Sequence, residues 1–133
     1  MQPHETLPTQ LSWYIKKEKL KITYLDLNDT LGFLYIKNIW VNKNITFYKA
    51  RFTIAHETGH YFYGHQNRSY LFWKLFKSYD EKQADNFAMI SLLPKKLLLE
   101  EYERYEWDLT ILEKVFWVEM QVIEKRIRQI FQN

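Results

Sequence analysis

The chain has 133 residues, enough for one domain with a modest core, and its 47% apolar and 18% aromatic content excludes a disordered chain. It contains no cysteine, which excludes disulfides and thiolate metal sites, so any metal must sit on His, Asp or Glu. The net charge of +3 comes from scattered lysines rather than a basic cluster, and no run is apolar for long enough to cross a bilayer.

Met1 to Gln10 is polar, carries two prolines and lacks the basic-then-apolar layout of a signal peptide. The expectation is one domain over residues 1–133, cytoplasmic, with no membrane partner and no direct nucleic-acid partner. No internal repeat appears. After Pro8 a helix is predicted from Thr9 to Leu20, with Leu11, Tyr14 and Ile15 on one face. Ile22 to Leu27 alternates as a half-buried strand does, and Asn28-Asp29 supplies a turn. Leu31 to Ile36 and Ile39 to Val41 read as two further strands, so a small antiparallel sheet is expected.

From about Tyr48 the pattern becomes helical: Phe52, His56 and His60 share a stripe at four-residue spacing, and Gly64 suits a helix stop. Asn67 to Tyr79 is aromatic and carries no clear period. Asp80 is expected to cap a helix reaching about Leu92, with a break before Pro94 and a new helix after it. Asp108 is expected to cap a last helical stretch. Leu109, Leu112, Phe116, Met120, Ile123, Ile127 and Ile130 form its apolar stripe, read first as core packing.

His56-Glu57-Thr58-Gly59-His60 is an HExxH segment on a helix. Its two imidazoles project from one face, one turn apart, and can reach the same metal ion. Glu57 is placed to take a proton from water at that metal rather than to bind it. A catalytic metal needs a third protein ligand, and two routes exist. The extended HExxHxxGxxH pattern needs Gly at position 63 and His at 66, but the chain has Tyr63 and Gln66, with Gly64 and His65 out of register by one. His65 therefore reads as a surface or substrate-facing residue. The other route is a second helix, where Glu81, Ala84, Asp85 and Ala88 share a face. Small alanines let it approach closely, Glu81 can be the third ligand, and Asp85 can accept the free ring N–H of a ligating histidine.

Arg51 to Tyr61, RFTIAHETGHY, resembles the RFTLAHELGHY core of the ImmA/IrrE metallopeptidase family, and Glu81 to Ala88 with Leu92-Leu93-Pro94 resembles its second signature, ExxANxFAxxLLMP. Thr58 stands where Leu is usual, and Asp85 where Asn is usual. The resemblance implies an α+β fold, a small N-terminal antiparallel sheet packed on a mainly helical zincin-like body. It implies Zn2+ on His56, His60 and Glu81, with Glu57 as general base, and leaves the oxyanion or substrate contact open among Tyr61, Tyr63, Tyr79 and His65. It also implies a protein substrate, a helix-turn-helix repressor of a phage or mobile element. The alternative is a non-proteolytic antirepressor that sequesters the repressor, with zinc structural.

Overall fold

The computed structural model describes residues 1–67 and 69–132; Arg68 and Asn133 lie outside it. Helix α1 spans Thr9–Lys17, and three strands follow: β1 Lys21–Leu25, β2 Gly32–Tyr35 and β3 Asn38–Asn42. Helices α2 Phe47–Phe62, α3 Tyr70–Leu92, α4 Lys95–Arg104, α5 Leu109–Phe116 and α6 Met120–Phe131 complete the chain. The α+β class with a small N-terminal sheet on a helical body is as the sequence suggests.

The sheet itself corrects one expectation, because it is mixed rather than antiparallel. Its order is β1-β3-β2, with β3 parallel to β1 and antiparallel to β2. The physical reason lies in burial. Ile39 and Val41 make β3 the strand with fully buried side chains, so it takes the centre, and the half-exposed β1 and β2 go to the edges. Residues 26–31 must then skip one strand width, roughly 5 Å, before β2 begins. The Asn42 side chain holds that loop by donating to the Asn28 and Thr30 carbonyls, each at 2.9 Å.

Helix α2 is buried on most sides and organises the rest. Thr46 caps its start by accepting from the Lys49 N–H, and Gly64, at φ +67°, turns the chain after its end. Thr58 is buried where the family pattern has Leu, and its hydroxyl is satisfied by donating to the Ile54 carbonyl at 2.7 Å. Arg51 is buried too. Its guanidinium donates to the Thr6 hydroxyl and carbonyl and to the Phe116 and Trp117 carbonyls, at 2.6–3.0 Å. That bonding satisfies the open C-terminal end of α5, which stops at Trp117 in a left-handed conformation. The last helical stretch is therefore two helices, though its stripe does pack inward, with Leu112 and Ile123 fully buried.

A second correction concerns α3. It begins at Tyr70, capped by Ser69, so Asp80 is an interior residue of the helix and not its cap. The aromatic run escaped the periodicity because its side chains stay outside: Tyr70 is 75% exposed and Leu75 67%. The first ten residues of α3 thus form a stem about 15 Å long. The sequence break at Leu93 and the helix after Pro94 stand as expected.

Gly32 fixes how β2 meets α2. A Cβ there would lie 2.6 Å from Thr53 Cγ2 and 2.7 Å from the Trp40 carbonyl oxygen, the second of which is backbone and cannot turn away. Gly32→Ala is expected to destabilise the fold by about 1–3 kcal/mol by lifting β2 off the helix. An unchanged urea midpoint for that variant would show that the strand is not held so tightly.

Candidate metal centre

On α2, four-residue spacing sets His56 and His60 on one face with their Nε2 atoms 3.1 Å apart and ring planes at 85°. Phe52, one turn earlier, stacks on the His56 ring at a centroid distance of 6.4 Å. Glu57 is buried beside them, its Oε2 4.0 Å from His56 Nε2.

Helix α3 supplies the opposite wall. Glu81 Oε2 lies 2.9 Å from His56 Nε2, and Glu81 Oε1 lies 3.1 Å from His60 Nε2. Asp85, one turn on, accepts from His56 Nδ1–H at 2.7 Å. This contact depends on how near the helices run. Ala84 and Ala88 are fully buried in the seam, and a Cβ on Gly59 would sit 3.0 Å from Phe87 Cβ.

The donor set fits a cation. His56 Nδ1 is committed to the Asp85 carboxylate, so with a cation between its Nε2 and Glu81 the ring would ligate through the Nε2 lone pair. Tetrahedral zinc with ligand distances near 2.1 Å holds its ligand atoms roughly 3.4 Å apart, a few tenths of an ångström wider than the spacing of the two nitrogens and Glu81. Ligand atoms of His56, Glu57 and His60 also lie within 4.8 Å of one another. Glu81 is nearer to both imidazoles than the 4.0 Å of Glu57 from His56, so it has the better claim to a third ligand position and leaves Glu57 free for proton transfer.

Electrostatics agree with that division. Burial pushes the Glu57 carboxyl up to about 7, with Glu81 adding to the rise and His56 opposing it. A divalent cation nearby would draw it back down. Burial alone lowers His56, but the Asp85 bond and the charges of Glu57, Glu81 and Asp85 outweigh it and hold His56 above its ordinary value. His60 is pushed down by burial and by His56, which favours the neutral imidazole that metals bind.

Residues of β2 and α3 enclose a groove of about 670 Å3 over these side chains. Leu31 to Leu34 form one side, Trp73 and Lys77 of the α3 stem the other, and His56, Glu57, His60, Glu81 and Asp85 the floor. Two expectations change here. His65 is not on the surface, though it does line this groove: it is 5% exposed, its Nδ1 2.8 Å from His60 Nδ1 and its Nε2 2.8 Å from Gln83 Oε1. Tyr61 and Tyr63 turn to a different groove. Tyr61 donates to Glu18 at 3.0 Å, and Tyr63 stacks on the outer side of the His65 ring. Tyr79 is exposed and does not line the metal groove. Sequence reading gave Asp80 only a capping role and did not single out Gln83; both flank His65. The signal was available in part, since Gln83 and Asp80 sit three apart beside Glu81 on a helix that already carried two candidate acids.

The sign of the Glu57 shift gives a test. A carboxyl raised from 4.5 to about 7 in the fold destabilises it little below pH 4.5, progressively up to 7 and fully above. With chelator present, Glu57→Gln is expected to stabilise the protein at about pH 8 by about 1–3 kcal/mol and to change little near pH 4. Parallel thermal melts at the two pH values check this, and a stability difference independent of pH contradicts it.

No curated protein matches the chain significantly. The Peptidase M78 family, described as the IrrE N-terminal-like domain, matches residues 15–128, from the end of α1 through most of α6 and across both walls of the groove. A chain so matched over most of its length, with two histidines and a glutamate gathered where a metallopeptidase needs them, belongs to the IrrE N-terminal-like peptidase family.

Proposed function

We propose that this protein is a zinc-dependent intracellular endopeptidase that cuts a helix-turn-helix repressor. The observation that carries the reading is the convergence of His56 Nε2, His60 Nε2 and the Glu81 carboxylate within 2.9–3.1 Å, beside the uncommitted carboxyl of Glu57. Zinc held by those three side chains would supply Lewis acidity and a water of lowered pKa. Glu57 takes the proton from the attacking water and passes it to the leaving nitrogen as the peptide bond breaks. Asp85 keeps the His56 ring oriented.

An extended peptide is the substrate shape that suits the groove. Asn42 N–H donates to the Leu31 carbonyl, and by antiparallel alternation Gly32 and Leu34 point their backbone N–H and C=O groups away from β3. Those groups can pair with an added strand lying over the metal ligands. The exposed Tyr70-Leu71-Phe72-Trp73 stem beside the groove offers apolar contacts for the folded part of a protein substrate, and restricted docking of that kind is how a small protease avoids cutting its host's proteins. Among the described residues no helix is long and apolar enough to cross a membrane.

Purified protein is expected to bind about one equivalent of zinc, and Glu81→Ala to weaken binding on the order of 100-fold. Affinity should fall as pH drops into the raised range of His56, because a protonated imidazole cannot ligate. Chelator competition across pH reads both, and full zinc retention by Glu81→Ala would remove it from the ligand set.

Incubated with zinc and the product of the adjacent repressor gene, the wild type is expected to make a single cut outside the DNA-reading helix and to leave casein intact. Glu57→Gln should keep zinc and lose at least about 100-fold in cleavage. Efficient casein digestion contradicts the specificity, and release of repressor from DNA by Glu57→Gln without a cut favours the antirepressor alternative.

A further inference from the structure

We propose that His65 is a positioning residue that fixes the tautomer of His60, with Asp80 and Gln83 setting its direction. The inference rests on the reading of His56, His60 and Glu81 as metal ligands, and it follows from counting protons along one chain of contacts. Asp80 is buried, its Oδ1 3.4 Å from His65 Nε2, and Gln83 Oε1 lies 2.8 Å from the same nitrogen. The Gln83 amide oxygen at 2.8 Å and the Asp80 carboxylate behind it both accept, so a hydrogen belongs on His65 Nε2. In the neutral ring Nδ1 is then a lone pair. It faces His60 Nδ1 at 2.8 Å, and that contact is a hydrogen bond only if His60 Nδ1 donates. Once a cation lies between His60 Nε2 and the Glu81 carboxylate, 3.1 Å apart here, Nε2 is the ligating nitrogen and the ring's hydrogen belongs on Nδ1, where His65 accepts it.

Both imidazoles are thus anchored to a carboxylate of α3. Asp85 does so for His56 directly, and Asp80 does so for His60 through a second histidine. Reversing the chain would put a proton on His60 Nε2, where a metal must bind, and would turn the His65 Nε2 lone pair toward two oxygens.

The local fold is built for this contact. Gly64, at φ +67°, reverses the chain after α2 so that the next residue returns under the helix end, and Tyr63 stacks nearly parallel on the outer face of the His65 ring, interplanar angle 15°. His65 needs both nitrogens here, whereas a packing residue needs neither.

The experiment has two readouts. Nitrogen-15 NMR of the histidine rings in zinc-loaded protein reports which ring nitrogens bear hydrogen, and competition with a fluorescent chelator reports zinc affinity. Wild type is expected to show the His60 hydrogen on Nδ1 and the His65 hydrogen on Nε2. His65→Leu should bind zinc roughly 10- to 100-fold more weakly. His65→Asn, whose side-chain oxygen can still accept from His60, should recover most of the affinity. Asp80→Asn, which can donate, should mix the His65 tautomers even if His65→Leu proves unable to fold. A His65 hydrogen on Nδ1 in zinc-loaded wild type overturns the proposal, as does zinc binding by folded His65→Leu equal to wild type. A wild type that binds no zinc at all sinks the metal reading instead.

Discussion

The close approach of α2 and α3 is the constraint on which the site depends. Gly59 under Phe87, with Ala84 and Ala88 buried in the seam, brings the backbones near enough for short acids to reach across. Larger residues there would move α3 outward, and a shift of 1 Å turns a 2.7 Å hydrogen bond from Asp85 into a contact too long to orient a ring. Glu81 and Asp85 cross this seam to the α2 histidines, and Asp80 and Gln83 reach His65 in the turn just beyond it. Among the described residues no buried side-chain nitrogen or oxygen lacks a partner, so the polar cluster is satisfied without water being invoked.

What could be read from the chain beforehand was whatever depends on helical spacing. His56 and His60 at i and i+4, and Glu81, Ala84, Asp85 and Ala88 on one face, are consequences of 3.6 residues per turn and need no tertiary information. Strand order was not of this kind. Alternation in Ile22 to Leu27 tells that a strand has two faces but not which neighbour it pairs with, and the central place of β3 goes with its being the most buried strand. The α3 stem was illegible for the opposite reason, since an aromatic run exposed on several sides has no apolar stripe to detect. The burial of His65 could not be read because one glycine conformation decides its position. With Gly64 continuing the helix it would point outward; with Gly64 at positive φ it returns beneath His60.

Arg51 illustrates a signal that composition hides. A charge on a helix is read as a solvated face by default, yet this guanidinium is buried, and burial shifts it below its ordinary value. It persists because it donates to three backbone carbonyls and one hydroxyl, from the N-terminal segment and from the end of α5. Replacing it by a smaller residue would leave those carbonyls open, so the stretch before α1 and the α5–α6 junction are tied to the histidine-bearing helix α2 by one side chain.

The division of work between the layers explains how so short a chain can carry such a site. All candidate ligands and their orienting partners come from α2, α3 and the turn between them, a run of 30 residues from His56 to Asp85. None is asked of the sheet, which leaves the outer edge of β2 free of chemical duty and able to face the groove with its backbone. Gly32 joins the two parts, since only the absence of a side chain lets β2 lie against Thr53, one turn before the Glu57 carboxyl. The distance between the strand edge and the Glu57 carboxyl is therefore set by a van der Waals contact. In a small domain that is a more rigid spacer than a loop would be.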